Sequence, residues 1–455
     1  MDELFSAAEL PTSQFTASAD EACLNYLCPG EAIAIDRGTH LARLAAFYPP
    51  CRTCSHRSDV RELSVLQQRQ WEELEARAQR APQWTAEGFV GTLQGGITPS
   101  DVARIAEALA VVLQRKRAAS PKSPTVLVAS DGNWATIDFV AAACQALQLS
   151  GCRAVEVGAV SAPTLAMMAQ RSATEAAVWL GNFDGEPHSL GVKLWTAAGC
   201  PASSPGDLDA IKYLHAAPAP RPRRRGGDWG RLDIDPAYLA TLAPIFHALR
   251  PLRFVLDTRC KPLVRSWVEL SLPTACEMLR PAQTAGASGA VDASQPASSQ
   301  RMQLLSEEVL AAGAHFGMWI DGDGETCLLV DEWGKPVDGE RLLLAFAAYL
   351  GASSPGATIL LEPAASSELE QTLVALGLHP QRGGPTRQVM FEAMSSQSAL
   401  LGGGASGRYW FAGPPVAADA LLTLSLLLAL VSQTDGSLSE VLDLSKVLDG
   451  RLLGG

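Results

Sequence analysis

From about Pro99 onward the chain alternates short, unbroken apolar runs with stretches whose apolar residues recur at helical spacing. The runs are Thr125–Ala129, Ala154–Val160, Ala176–Leu180, Phe254–Leu256, Phe316–Ile320, Cys327–Val330 and Ala357–Leu361. Segments this short, and apolar throughout, suit strands covered on both faces by helices. Between them, Ser100–Leu113, Asp138–Leu149, Tyr238–Leu249, Glu340–Leu350 and Ser366–Leu376 read as amphipathic helices. The first of these opens on Thr98-Pro99-Ser100-Asp101, which supplies capping oxygens and a helix-compatible proline. Ala420–Val431 is apolar on every side but only about half the length that crosses a bilayer, so it reads as a buried helix. The alternation predicts an α/β protein.

Two segments break the alternation. Ala216–Gly230 is rich in Pro, Arg and Gly and reads as an interdomain linker, and Gln283–Gln303, dominated by Ala, Ser, Gly and Gln, reads as a loop. Cutting there divides the chain into an N-terminal module over residues 1–82 and α/β units over 83–215, 231–330 and 331–455, with 216–230 as linker.

Composition adds limits. With 47% hydrophobic residues there is material for several cores. The 36 Lys+Arg against 48 Asp+Glu give a formal net charge of -12, which argues against a nucleic-acid or anionic-membrane partner. The one basic run, Arg221 to Arg225, sits among prolines and glycines and reads as solvated linker. Met1-Asp2-Glu3-Leu4 lacks the features of a signal peptide, so a soluble, cytoplasmic protein is expected.

Two clusters carry candidate chemistry. In Asp321-Gly322-Asp323-Gly324-Glu325-Thr326, carboxylates at alternate positions between glycines can turn their oxygens onto one hard cation. Thr326 stands where an EF-hand loop needs glycine, and the next residues read as a strand, so that motif fits poorly. A cation site and a plain acidic turn both remain open. Near the N-terminus, Cys23 and Cys28 are followed after 22 residues by Cys51 and Cys54. Two such pairs suit a tetrahedral zinc ion; an iron–sulfur cluster and four packed thiols are the alternatives. Arg61–Gln79, rich in Glu, Arg, Gln and Leu, reads as a helix joining this module to the rest.

Over residues from about 88 to 450 the sequence resembles the α-D-phosphohexomutases, the phosphoglucomutase and phosphomannomutase family. Thr98-Pro99-Ser100-Asp101-Val102 is similar to that family's first helix start, and Val128-Ala129-Ser130-Asp131-Gly132 to its Gly-Arg-Asp strand end. Gly191-Val192-Lys193-Leu194 is similar to the Gly-Ile-Lys-Leu that closes its catalytic loop. Ala314 to Ile320 leads into Asp321 as the family's strand leads into its DGDxDR metal loop, and Gly402 to Arg408 resembles its sugar-reading GGExSGH loop. The resemblance implies three tandem α/β domains with mixed, helix-covered sheets behind the Cys-rich module. It also implies magnesium at Asp321, Asp323 and Glu325, a hexose phosphate as ligand, and substrate contacts from Lys193, Ser406 and Arg408.

The departures from the family point elsewhere. Counting back from Gly191, the places of the family's Thr-Ala-Ser-His-Asn-Pro hold Gly181 to Glu186, so Phe183 stands for the phosphate-carrying serine and Asp184 for the histidine. Phenylalanine has no oxygen to phosphorylate. Thr326 replaces the metal loop's arginine and Gly404 the sugar loop's glutamate, and the family's fourth domain, with its Arg-Pro-Ser-Gly-Thr cradle, is expected to be missing after Gly455. The expectation is a catalytically degenerate relative with a sugar-phosphate-binding, regulatory or scaffold role and a protein partner at the N-terminal module. The alternative is an active mutase that uses Asp184, Ser189 or a partner subunit.

Overall fold

The structure is a computed structural model of the chain; it describes residues 26–443 other than 46, 47, 49, 52, 53, 61, 62, 66, 70, 71, 73–80, 94, 95, 117–121, 173, 184–188, 219, 224, 225, 282–296, 414 and 415. Cys23, Asp184, most of the Arg61–Gln79 segment and residues 283–296 therefore lie outside the described residues. The chain divides into two compact units, Met1–Arg69 and Gln70–Gly455.

In the smaller unit the helix Arg37–Ala45 packs beside an isolated bridge between Tyr26 and Ile35. The Tyr26 ring stacks on His40 at 3.9 Å, and the Tyr26 hydroxyl donates to Asp59.

In the larger unit the described residues form three sheets under helices. The first contains β1 (Gln83–Trp84), β2 (Phe89–Thr92), β3 (Thr125–Ser130), β4 (Arg153–Ala159), β5 (Ala176–Gly181), β6 (Ser189–Trp195) and β7 (Trp229–Arg231), in the order β1-β2-β6-β5-β3-β4-β7. β5, β3, β4 and β7 run parallel, whereas β6, β2 and β1 add antiparallel neighbours. Both faces are covered: Val126, Val128, Val178 and Leu180 meet the helices Pro99–Lys116 and Ile137–Leu149 on one side. Leu127, Ala129 and Trp179 meet the helix Ala162–Arg171 on the other. This explains runs that are apolar at every position. Trp229–Arg231, the end of the glycine- and arginine-rich segment, pairs with β4 as the sheet's edge.

The second sheet, β11-β10-β8-β9, contains β8 (Arg253–Thr258), β9 (Glu277–Leu279), β10 (Phe316–Ile320) and β11 (Cys327–Val330); β10 and β11 form a hairpin. The third, β13-β12-β14-β15-β16, contains β12 (Thr358–Leu361), β13 (His379–Arg382), β14 (Leu401–Gly403), β15 (Trp410–Phe411) and β16 (Ala417–Ala418). One continuous core joins these two sheets through Phe254, Phe316, Leu361, Leu401 and the buried helix Ala420–Ser432.

Two expected elements differ. The helix expected over Tyr238–Leu249 runs instead over Asp235–Leu242 and tightens into a short turn at Ala243–Phe246. Pro244 has no N–H to continue the ladder. The loop expected through Gln303 gives way to a helix, Ala297–Ala312, because Leu305 and Val309 lie at helical spacing and are buried against Val255 and Val330. Among the described residues no helix is long and apolar enough to cross a membrane.

The buried helix is held at its start by Asp419, whose Oδ1 accepts the N–H groups of Leu421 and Leu422 at 3.0 Å and whose carboxylate takes the Tyr238 hydroxyl at 2.8 Å. Burial pushes this carboxyl up to about 6 against the opposing effect of those hydrogen bonds. A folded-state pKa raised above the unfolded one favours folding at low pH, and the contribution is lost as pH rises from about 4 through about 6. Asp419→Asn keeps the cap and the Tyr238 contact without an ionising group. Its stability relative to the parent should therefore improve between pH 4 and pH 8, by on the order of 3 kcal/mol, in denaturant titrations at the two pH values.

Candidate functional site

The acidic loop between β10 and β11 is a tight turn organised by Asp321. Its Oδ1 accepts the N–H groups of Gly324, Glu325 and Thr326 at 2.9, 3.0 and 3.2 Å. Gly324 has φ +84°, a conformation that favours glycine. The loop is fixed from two sides: Asp323 C=O accepts from Ala162 N–H, and Gly324 C=O from Ala420 N–H, both at 2.9 Å. A side chain at Gly322 would fall on the Asn182 carbonyl, so the loop presses against the end of β5 next to Phe183.

Lys193, on β6, reaches into this loop with no exposed surface. Its ammonium pairs with Asp323 Oδ2, with Glu325 Oε2 at 3.0 Å and with Glu87 Oε2 at 3.1 Å. The Phe183 ring lies 4.8 Å from Nζ and packs so closely over Gly191 that no Cβ fits there. Two arginines complete the cluster. Arg387 pairs through Nη2 with Glu325 Oε1 and stacks over Trp195, 5.1 Å from its centroid. Arg408 holds Glu87 with both terminal nitrogens, at 2.6 and 3.1 Å. Burial would raise the Glu87 carboxyl, but Lys193, Arg408 and Arg387 outweigh it and hold it well below the ordinary range. Burial likewise opposes the charge on Lys193, and Asp323 and Glu325 more than restore it.

A cavity of about 340 Å³ opens beside the cluster, lined among others by Glu87, Glu362, Thr386, Arg387, Ser406 and Arg408. Glu362, just after β12, accepts the Ser406 hydroxyl and, at 3.2 Å, the Ser406 N–H. A Cβ on Gly404 would meet Glu362 Oε2 at 2.6 Å, so this carboxylate fills the space above the glycine. Arg387 is 3% exposed, and its Nη1 has no hydrogen-bond partner.

The residues expected to act are thus partly brought together. Ser406 and Arg408 reach the cavity, but Arg408 does so with its terminal nitrogens engaged by Glu87. Lys193, expected at a substrate, is enclosed by carboxylates instead. The magnesium expected at Asp321, Asp323 and Glu325 does not fit these residues: Asp321 Oδ1 is taken by backbone amides, and Asp323 and Glu325 by Lys193 and Arg387. Among the described residues no group of three or more His, Cys, Asp or Glu side chains is arranged to hold a metal ion. Of the zinc site expected at Cys23, Cys28, Cys51 and Cys54, Cys23 lies outside the described residues. Cys28, Cys51 and Cys54 are buried free thiols, and Arg43 Nη1 donates to Cys28 Sγ at 3.1 Å. Burial, with Cys28 and Cys54 nearby, pushes the Cys51 thiol up to about 12.

Sequence reasoning missed Glu87, Glu362 and Arg387. Arg387 left a readable trace: it opens the helix Arg387–Ser396 behind the cap Thr386, where the helix dipole disfavours a cation unless another group engages it.

Comparison with known proteins agrees with this architecture. Residues 84–216 match the family model for phosphoglucomutase/phosphomannomutase alpha/beta/alpha domain I, and residues 338–447 that for domain III. A phosphoglucosamine mutase of Arthrobacter sp. (strain FB24) is 27% identical over 378 residues, 78% of this chain and 79% of the relative. One from Moorella thermoacetica is 26% identical over 374 residues, 78% and 80% of the two chains. In fold, the chain is similar to a phosphoglucomutase/phosphomannomutase family protein from Burkholderia thailandensis, with TM-score 0.66 and 19% identity over 80% of this chain and 78% of that one. The chain belongs to the α-D-phosphohexomutase superfamily.

Removing one member of a buried ion cluster leaves its partners unpaired, which costs about 3–5 kcal/mol. Glu87→Gln should lower stability by that order in urea titrations. In an Arg408→Gln background the same change should cost clearly less, which a double-mutant cycle measures.

Proposed function

We propose that this phosphohexomutase-like protein is catalytically degenerate: it holds a hexose phosphate without turning it over and serves a regulatory or scaffold role. The observation that carries this reading is Phe183. In the alignment argued from Gly191, it occupies the position of the phosphate-carrying serine, and its ring covers Gly191 and the Lys193 ammonium. Covalent phosphoryl transfer needs an attacking oxygen, and phenylalanine supplies none. Ser189 does not offer a ready substitute, since it lies buried in β6 opposite Thr92.

Binding is supported by the cavity. Arg387 lines it, and a guanidinium suits an anionic acceptor such as a phosphate. Glu362 and Ser406 together suit sugar hydroxyls or an amino group. The relatives named phosphoglucosamine mutase make glucosamine phosphates the first ligands to try.

The test is to incubate the full-length protein with glucose 1,6-bisphosphate and magnesium. Intact-mass spectrometry should show no phosphoprotein, and glucosamine 6-phosphate should not be isomerised. The same sugar should raise the thermal midpoint, because a ligand of the folded form stabilises it. Glu362→Ala should weaken binding roughly tenfold, about 1.4 kcal/mol. Stoichiometric phosphorylation or turnover above background would sink the reading.

A further inference from the structure

We propose that Lys193 is the built-in cation of the acidic loop, taking the position a divalent ion would need so that this site works without one. An ammonium group has three N–H donors, and Lys193 has three carboxylates at contact distance: Asp323, Glu325 and Glu87. The Phe183 ring adds an electron-rich face to the same group. The lysine head therefore has a full set of partners and no exposed surface. Nothing about it calls for water or for a further ligand.

Three further loop oxygens are engaged as well. Glu325 Oε1 holds Arg387, Asp323 Oδ1 accepts the Glu325 N–H at 3.1 Å, and Asp321 Oδ1 accepts three amides. Magnesium requires about six oxygens in near-octahedral array at about 2.1 Å, which this arrangement cannot present while the lysine is in place. Charge argues the same way. Lys193, Arg387 and Arg408 stand against four carboxylates, Glu87, Asp321, Asp323 and Glu325, so the cluster lacks at most one positive charge. A divalent ion added to them would leave excess positive charge beside the fully enclosed Lys193 and Asp323, which is costly. The tethered ammonium also differs from a dissociable ion in being present at every metal concentration.

The proposal does not depend on the degenerate reading, since a metal-free site and a missing acceptor are separate properties. The test uses the full chain, stripped with chelator and titrated with Mn2+ while the free-ion electron paramagnetic resonance signal is followed. The parent protein should leave that signal unchanged, and magnesium should not move its thermal midpoint. Lys193→Ala, which removes the ammonium and opens space among the carboxylates, should be destabilised, take up one Mn2+ per chain and regain stability as it does. Adding Glu325→Gln to it should abolish the uptake. One Mn2+ bound by the parent and displaced by Mg2+ would overturn the proposal, and that arm needs no variant to fold. A folded Lys193→Ala that takes up no Mn2+ would overturn it too. Phosphoprotein formed by a parent that binds no metal would defeat the degenerate reading and leave this proposal standing.

Discussion

The larger unit is organised around one buried group of charges to which all three sheets contribute. Glu87 comes from the turn between β1 and β2 and Lys193 from β6 of the first sheet, Asp323 and Glu325 from the hairpin loop of the second, and Arg387 and Arg408 from segments flanking the third. Isolated buried charges are expensive, so each of these side chains is tolerable only while the others are in place. The cluster therefore sets register between sheets more than it adds raw stability. Apolar contacts beneath the second and third sheets would accept small sliding movements, whereas a bidentate guanidinium–carboxylate pair such as Arg408 with Glu87 tolerates little. Neighbouring backbone contacts tighten the same junction. Thr326 bridges Arg408, and Cys327 N–H donates to Gly407 C=O at 2.9 Å, so the acidic hairpin and the loop after β14 are joined as if by one more short strand pair.

Much of the fold was legible because the strands are covered on both faces and so carry a local signature. Thr125–Ser130, Phe316–Ile320 and Cys327–Val330 fall where the apolar runs place them. What was misread has local causes that were weaker than the surrounding pattern. Pro244 shortens one helix, and two buried residues, Leu305 and Val309, are enough to draw a compositionally loop-like stretch into another.

The site was less legible, for a reason of distance along the chain. The acidic loop itself could be found from its glycines and carboxylates, but its occupant could not. Lys193 is 130 residues from Asp323, and Arg408 is 321 from Glu87, so no local pattern connects them. Lys193 lies in a motif resembling a substrate-side element of the superfamily, and the resemblance alone directs it toward ligand. Its enclosure emerges only once Glu87 is seen to close the third side of the ammonium.

Glu362 carries a consequence for how this sequence can change. By its resemblance to the superfamily's sugar loop, Gly404 stands where a glutamate is expected, and here the carboxylate of Glu362 already fills the space above that glycine. Gly404→Glu alone would drive a new side chain into an existing one, with two like charges in contact. Replacing Glu362 first would strip Ser406 of the acceptor for both its hydroxyl and its amide. Each single substitution toward that loop thus disrupts a contact made now. The glycine and the glutamate are therefore coupled, and either can change only together with the other.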